Sequence, residues 1–183
     1  MIRVIAGEFR SRLLKTPPGD GTRPTPDRLR EALFSILTTV IDGAVFADVY
    51  AGSGAVGIEA LSRGASRAVF IERGRTAARV IHENLNALGL GGRARVIHGA
   101  AVSHLPLDEA DIIFLDPPYA LEAEYERVLD KLAASPALII IQHASRFKLP
   151  ESHGGLRRTR QVKQGDNSLS FYRAEPCDNC EFR

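Results

Sequence analysis

From residue 45 onward the sequence alternates between short apolar runs and segments with helical spacing. Such alternation predicts parallel strands joined by helices that cover both faces of the sheet. The predicted strands are 45–49, 67–72, 94–98, 111–115, 137–142, 156–164 and 169–173, and the predicted helices are 56–63, 75–88, 101–104 and 122–134. The last two strands flank a turn, so the chain is predicted to be α/β, with a mostly parallel seven-stranded sheet.

Three glycines follow the first of these strands in the pattern G-x-G-x-x-G, at Gly52, Gly54 and Gly57. Glycines permit a tight turn and a close approach of a ligand to the backbone, and the helix that follows presents free N–H groups. Glu72 ends the next strand, where a carboxylate can accept from both hydroxyls of a ribose. The loop therefore predicts a nucleotide-containing cofactor, and both a dinucleotide and S-adenosylmethionine fit it.

The strand at 111–115 runs directly into Asp116, Pro117, Pro118 and Tyr119. A proline has a fixed φ angle and no N–H group, so Pro117 and Pro118 offer carbonyl acceptors but no backbone donors. Asp116 and the Pro117 carbonyl can accept the two hydrogens of a planar amino group, and Tyr119 offers a face for a base. The turn favours methylation of an amino group, and hence S-adenosylmethionine, although an ordinary strand-ending turn also uses these residue types.

Four candidate residues share one position in the predicted topology. Asp48, Glu72, Gly99 and Asp116 all lie at the carboxyl ends of predicted strands. Ligands of open α/β sheets bind beyond that edge. We therefore expect one shared site there.

Composition bounds the class of protein. The chain has 183 residues, a net charge of +2 and 44% hydrophobic residues, which indicates one domain with a substantial core. We expect an N-terminal extension over 1–24, a main domain over 25–175 and a disordered tail over 176–183. No run has the length of a membrane span or the layout of a signal peptide, so we expect a cytoplasmic protein without a membrane partner.

Cations concentrate in residues 3–30 and 156–163, which suggests a surface for phosphates if the two segments share a face. An N-terminal β-hairpin with strands at 3–6 and 12–14 is expected near the substrate entrance. Thr25 is expected to cap a helix that begins at Pro26. The two cysteines, Cys177 and Cys180, lack the further ligands that zinc requires, so no metal site is expected.

With these motifs in place, the sequence resembles a known family. Residues 48–54 are similar to the cofactor motif of class I methyltransferases, and residues 116–119 resemble their amino-methylating D/N-P-P-Y/F/W motif. Residues 23–31, read together with 60–64, resemble the bacterial family that methylates guanine N2 of small-subunit (16S) ribosomal RNA. The resemblance runs over about residues 2–173.

The resemblance implies S-adenosylmethionine as cofactor, ribosomal RNA or the assembling small subunit as partner, and a monomer. The implied catalytic residues are Asp116, Pro117, Pro118 and Tyr119. The implied cofactor residues are Asp48, Tyr50, Gly52, Ser53, Gly54, Glu72, Arg73, Ala100, Ala101 and Asp116, and the RNA contacts are Arg10, Arg12, Arg23, Thr25 and Arg28.

Three departures and three alternatives accompany the resemblance. The C-terminal tail with Cys177 and Cys180 is not part of the family pattern. Residues 96–101 lack the carboxylate that many class I methyltransferases direct at adenine, so backbone groups near Ala100 are expected to serve. His143 ends the fifth strand, where a glutamate is expected. The alternatives are a DNA adenine-N6 or cytosine-N4 methyltransferase, a non-catalytic RNA-binding assembly factor and a small-molecule methyltransferase.

Overall fold

The structure is a computed structural model that describes residues 2–18, 25–118 and 122–175. The predictions made for Arg23, Tyr119, Cys177 and Cys180, and for the tail 176–183, lie outside the described residues. The division of the chain into an extension, a main domain and a tail stays a prediction.

The main elements follow one another in the predicted order. The strands are β1 (Ile2–Arg3), β2 (Leu13–Leu14), β3 (Val45–Val49), β4 (Arg67–Glu72), β5 (Ala94–His98), β6 (Ile112–Leu115), β7 (Leu138–Ala144), β8 (Ser152–His153), β9 (Leu156–Gln164) and β10 (Asn167–Ala174). The helices are α1 (Asp27–Leu37), α2 (Ala55–Ser62), α3 (Arg75–Ala87) and α4 (Glu122–Leu132), with short 3₁₀ turns at Gly91–Arg93 and Ala101–His104.

The main sheet has the strand order β5-β4-β3-β6-β7-β10-β9-β8. The pairs from β5 to β7 are parallel, and the pairs from β7 to β8 are antiparallel. The predicted fold class is therefore confirmed. The sheet has eight strands where seven were predicted, because the two-residue strand β8 pairs with the start of β9. Two residues are too few to give the alternating pattern that identifies a strand in a sequence.

Both faces of the parallel strands are covered. In β6, Ile113 and Leu115 join a buried cluster with α4, while Ile112 and Phe114 join a second buried cluster with α1. Successive side chains of a strand point to opposite faces, so a strand covered on both sides reads as a continuous apolar run. This is why the central strands were predictable from the sequence.

The N-terminal hairpin forms a separate two-stranded sheet, but its strands are shorter than predicted. The amides of Ile5 and Ala6 donate to the Glu59 carboxylate, at 2.7 and 3.0 Å, and are therefore not available to a neighbouring strand. The tip packs closely on the end of α2, where a Cβ on Gly7 would lie 1.8 Å from the Ser62 carbonyl oxygen.

The prediction that Thr25 caps α1 is wrong. The amides of Leu29 and Arg30 both donate to the Pro26 carbonyl, at 2.9 and 3.0 Å, so Pro26 occupies the capping position and the helix begins at Asp27. No side chain caps this helix end. The Thr25 hydroxyl instead faces Asp116, at 3.4 Å from its carboxylate.

Candidate functional site

The glycine loop reverses the chain between β3 and α2 through left-handed backbone positions. Tyr50, Gly52 and Gly54 have φ angles of 68°, 56° and 77°. The amides of Tyr50 and Ala51 donate to the Ile71 carbonyl, at 3.1 and 3.0 Å, and this fixes the loop beside β4. No atom of the described residues lies within 4 Å of a Cβ built on Gly52, so the loop borders open space there.

Asp48 ties the end of β3 to the first turn of α2. Its side chain is buried, and its Oδ2 atom accepts from the Gly57 amide at 2.8 Å. Only a glycine fits here, because a Cβ on Gly57 would lie 2.3 Å from Cε1 of Phe70 and 3.1 Å from Cβ of Asp48. Burial raises the pKa of Asp48 to about 8; the Gly57 amide opposes the shift, and the charges of Asp116 and Glu72 add to it.

Glu72 fixes the other side of the loop. Its Oε2 atom accepts from the Gly52 amide at 2.8 Å, and its Oε1 atom accepts from the Gly74 amide at 2.6 Å. Each carboxylate oxygen can accept a second hydrogen bond. Glu72 therefore holds the glycine loop in place and keeps acceptor capacity for a ligand's hydroxyl groups.

Asp116 follows β6 and is partly buried. Its backbone amide contacts the Val49 carbonyl at 3.4 Å, which keeps the turn beside the start of the glycine loop. Burial raises the pKa of Asp116 to about 7, against a smaller lowering by the Thr25 hydroxyl. Pro117 is buried behind Asp116, and Pro118 is exposed.

The site is acidic. The charges of Asp48, Glu72 and Asp116 are close enough for the latter two to raise the pKa of Asp48. Within the described part of the chain, no lysine or arginine forms an ion pair with any of the three. No group of three His, Cys, Asp or Glu side chains in residues 2–18, 25–118 and 122–175 has the arrangement of a metal site. Such a site suits an organic ligand that carries positive charge.

The residues predicted to flank the cofactor adenine lie beside Glu72, because β5 pairs with β4. The Gly99 amide donates to the Glu72 carbonyl at 3.1 Å, Ala100 is exposed, and Ala101 is buried at the start of a 3₁₀ turn. Arg73 is exposed at the same edge, and its carbonyl lies 3.0 Å from Nε2 of His98. Their contact with a cofactor stays a prediction.

Tyr50 has its hydroxyl engaged elsewhere. The hydroxyl donates to Oε1 of Glu124 on α4 at 2.8 Å, and the ring packs against the buried cluster below α4. Burial and the Glu124 contact raise the pKa of the phenol. Tyr50 therefore anchors the loop to α4, and a direct cofactor contact stays a prediction.

The structure places the tip of the N-terminal hairpin at the ends of α2 and α3, and its expected role at the substrate entrance stays a prediction. The Glu8 amide donates to the Ser62 carbonyl at the last residue of α2, and Arg12 contacts the Ala87 carbonyl at the end of α3. The eight residues of α2 place the tip, with the exposed Arg10, about 12 Å from the glycine loop at ~1.5 Å per residue. The hairpin tip therefore lies at the amino edge of the sheet, because a helix that follows a parallel strand runs back along it.

Thr25 and Arg28 are placed differently. Thr25 contacts Asp116, and Arg28 is exposed in the first turn of α1. Thr25 and Arg28 therefore belong to the segment that contacts Asp116, unlike the other described residues that were predicted to bind RNA.

Sequence reasoning missed Glu59 and Arg30, which attach the hairpin. Both side chains are fully buried, with Glu59 Oε2 3.8 Å from Arg30 Nη1, and Arg63 Nε donates to Glu59 Oε1 at 2.7 Å. Arg30 Nη2 also donates to the Arg3 carbonyl at 2.9 Å. A charged residue at position 59, inside an otherwise apolar helix, was the available indication.

Asn84 was missed as well, and its isolated position on α3 gave no indication. Its Nδ2 group donates to the carbonyls of Ser53 and Lys15, at 3.0 Å each, and its Oδ1 atom accepts from the Lys15 amide at 2.8 Å. Asn84 thereby joins the glycine loop to the chain that leaves the hairpin.

His143 is buried in the sheet, with Nε2 2.9 Å from the Ser170 hydroxyl. Burial lowers its pKa. These contacts give it a structural role.

In the chain as described, no helix has the length and apolar character needed to cross a membrane.

Comparisons with known proteins find a family and several relatives that match most of the chain. The model of a family described as Conserved hypothetical protein 95 matches residues 2–173. Ribosomal RNA small subunit methyltransferase D of Escherichia coli (strain K12) is 37% identical over 180 residues, which cover 95% of this chain and 90% of the relative. YlbH of Bacillus subtilis (strain 168), which bears a provisional rRNA methyltransferase name, is 34% identical over 185 residues, covering 94% of this chain and 98% of the relative.

A solved structure gives the same result for the fold. The Escherichia coli protein yhhF, provisionally a methyltransferase, is 35% identical and superposes with a TM-score of 0.81. The match covers 95% of this chain and 98% of yhhF.

Proposed function

Because this chain belongs to the Conserved hypothetical protein 95 family, we propose that it methylates the exocyclic N2 amine of a guanine in small-subunit ribosomal RNA, with S-adenosylmethionine as donor. The observation that carries the proposal is the position of Asp116 and Pro117, whose donor-free turn lies beside the glycine loop at the carboxyl edge. The names of the two relatives support the reaction class and the RNA.

The residues at the edge fit such a donor. Open space at Gly52 admits a ligand to the backbone, and three carboxylates without a paired cation among the described residues suit a molecule with an ammonium and a sulfonium. When bound, S-adenosylmethionine supplies a methyl group that is already a strong electrophile. No covalent intermediate on the protein is needed.

The cofactor side of the site is held before any ligand binds. Asp48 and Glu72 fix the glycine loop through the amides of Gly57, Gly52 and Gly74. Glu72 would accept from the ribose hydroxyls with its remaining lone pairs, and Asp48 would brace the loop or reach the ammonium group of the ligand. Backbone groups near Ala100 would serve the adenine.

The acceptor side would orient the amine. Asp116 would accept one N–H and the Pro117 carbonyl the other, which would aim the nitrogen lone pair at the methyl group that S-adenosylmethionine supplies. The donor would leave as S-adenosylhomocysteine, and the Asp116 carboxylate would take up the surplus proton of the nitrogen. Most of the acceleration comes from this positioning, which can be worth about 7–11 kcal/mol in well-oriented reactions.

The RNA must present the guanine outside a stem. A base in a duplex has its edges covered, so enzymes that modify it act on a looped-out or flipped nucleotide. Tyr119 would stack on that base.

We propose that the chain acts as a monomer in the cytoplasm, where ribosomal subunits are assembled.

The direct test measures transfer of a radiolabelled methyl group from S-adenosylmethionine by the purified chain. The substrates are small subunits and 16S rRNA from a strain that lacks the modification, with duplex DNA as a third arm. Labelling of one guanine, mapped by mass spectrometry to N2, is expected. Labelling of DNA alone, or binding of rRNA without any labelling, would contradict the proposal and favour a DNA methyltransferase or an assembly factor.

A further inference from the structure

We propose that a cleft beside β9 binds a phosphate of the RNA strand next to the methylated guanine; this extends the proposed function to a second contact site. The cleft, with a volume of about 520 Å³, lies between the chain that follows β7 and the β9–β10 hairpin. Its lining includes Lys148, Lys163 and Arg158, with Glu151 as its one carboxylate.

One end of the cleft, lined by Ser145, Lys163 and Ser168, lies at the same edge of the sheet as Asp116. Leu115 pairs with Ile141 on the neighbouring strand, and Asp116 directly follows Leu115. Two residues further along β7, His143 pairs with Ser168, which in turn pairs with Lys163. Lys163 is therefore almost level with Asp116 and three strand spacings away, about 14 Å at ~4.8 Å per spacing.

Arg158 shapes the cleft. Its Nη1 atom donates to the Leu149 carbonyl at 2.9 Å, and its Nη2 atom lies 3.6 Å from Oε1 of Glu151. The Ser145 hydroxyl donates to the Gly165 carbonyl at 3.0 Å, which ties the start of the loop to the β9–β10 turn. These contacts form the cleft before RNA binds.

Lys148 and Lys163 supply the available charge. Both are exposed, and neither forms an ion pair with any residue that the structure describes. An ammonium group that has no carboxylate partner can neutralise a phosphate of the RNA and release the counterions of that phosphate. Phe147, which bounds the cleft, is fixed by stacking on Tyr125 with ring centres 4.9 Å apart.

Arg160 provides a matched control on the same strand. It pairs with Phe171, and Val162 pairs with Leu169, so Arg160 points to the α1 face, opposite to Lys163. It is an exposed cation three positions from Lys163 along the chain. Its removal changes the net charge without changing the cleft.

The experiment measures binding of 16S rRNA and of unmethylated small subunits by filter retention over a series of salt concentrations. For the double variant Lys148→Gln with Lys163→Gln, we expect about tenfold weaker binding and a salt slope smaller by about 1–2, as for one or two lost phosphate contacts. Arg160→Gln should leave the affinity within about twofold. Lys148→Arg with Lys163→Arg should restore most of the affinity, because it retains both charges.

Methyl transfer, measured in parallel, separates the two proposals. The cleft variant should raise KM for RNA and leave kcat unchanged, because it touches neither cofactor nor amine. Equal losses in the cleft variant and Arg160→Gln would overturn the cleft as a phosphate site. An unchanged salt slope would overturn it too. A wild-type protein that binds rRNA through the cleft without methylating it would contradict the proposed reaction alone.

Discussion

The β1–β2 hairpin lies along α2 with its tip at the amino edge of the sheet, whereas the β9–β10 hairpin joins the sheet and turns at the carboxyl edge. Both contain many arginines and lysines. In the first hairpin region, Arg12 contacts a backbone carbonyl and Arg30 is buried against Glu59. In the second, Lys163 remains exposed near the reacting turn. The count of cations is thus a poor guide to a nucleic-acid surface, and topology decides which of them face the site.

The carboxylates at the two edges differ in the same way. At the amino edge, Glu59 is saturated by two amides and two guanidinium groups. At the carboxyl edge, Asp48 and Asp116 have no cationic partner in the described parts of the chain, and burial raises both pKa values. One edge pairs its carboxylate within the protein, and the other leaves two carboxyls without a cationic partner among the described residues, as the proposed donor and amine would need.

The largest effect should come from Glu59→Gln. The change removes the buried negative charge that Arg30 and Arg63 share and leaves Arg30 with only the exposed Asp27 as a carboxylate partner; losing one partner of a buried pair costs about 3–5 kcal/mol of unfolding free energy. Urea denaturation followed by circular dichroism measures the loss. Glu83→Gln, which breaks only the exposed pair with Lys15, is the control and should change stability little. Similar midpoints for the two variants would show that Glu59 does not attach the hairpin.

Asp116→Asn should lower the rate of methyl transfer by about 10²-fold or more, equivalent to about 2.7 kcal/mol, because the amide offers one acceptor and brings its own N–H donors to the amine. Initial rates at saturating cofactor and RNA measure this. Isothermal calorimetry should give a cofactor affinity close to that of the wild type. A wild-type rate in this variant would show that Asp116 does not orient the amine and that the reaction does not take place at this turn.

The unfolding free energy of the cofactor-free protein should decrease as pH rises from about 4 to about 8. Asp48 and Asp116 have pKa values of about 8 and about 7 in the folded chain, against a usual 3.8, so the folded chain binds more protons in this window. Stability falls with pH wherever the folded state holds more protons. Denaturation curves at several pH values should show this slope, and Asp48→Asn should flatten it. A slope of opposite sign would contradict the burial of the two carboxyls without a cationic partner.

The smallest effect should come from Arg10→Gln combined with Arg12→Gln. Both arginines lie near the amino edge, so they can contact only RNA distant from the target base. We expect the affinity for rRNA to fall by about threefold or less, well below the loss expected for the cleft variant. A larger loss in filter binding would mean that RNA extends along α2 to the hairpin tip.

Much of the fold was predictable because β3, β6 and β7 are apolar on both faces and bounded by glycine or proline turns. The grouping of Asp48, Glu72 and Asp116 was also predictable, because the carboxyl ends of parallel strands lie at one edge of the sheet. The hairpin strands were overestimated, because a side chain 54 positions away takes the amide of Ile5. Thr25 was misassigned for a similar reason, as its partner is Asp116, 91 positions along the chain. Local patterns carry no information on such distant partners.

The place of β10 in the strand order bears on how the chain is made. β10 is the last strand of the described sequence, yet it lies between β7 and β9, inside the sheet. While a ribosome is still synthesising the chain, or after proteolysis that removes β10, β7 presents an unpaired edge containing Ile139, Ile140 and Ile141. Open apolar edges invite pairing with other chains. The newborn polypeptide therefore exposes this apolar edge to other chains in the interval before β10 emerges.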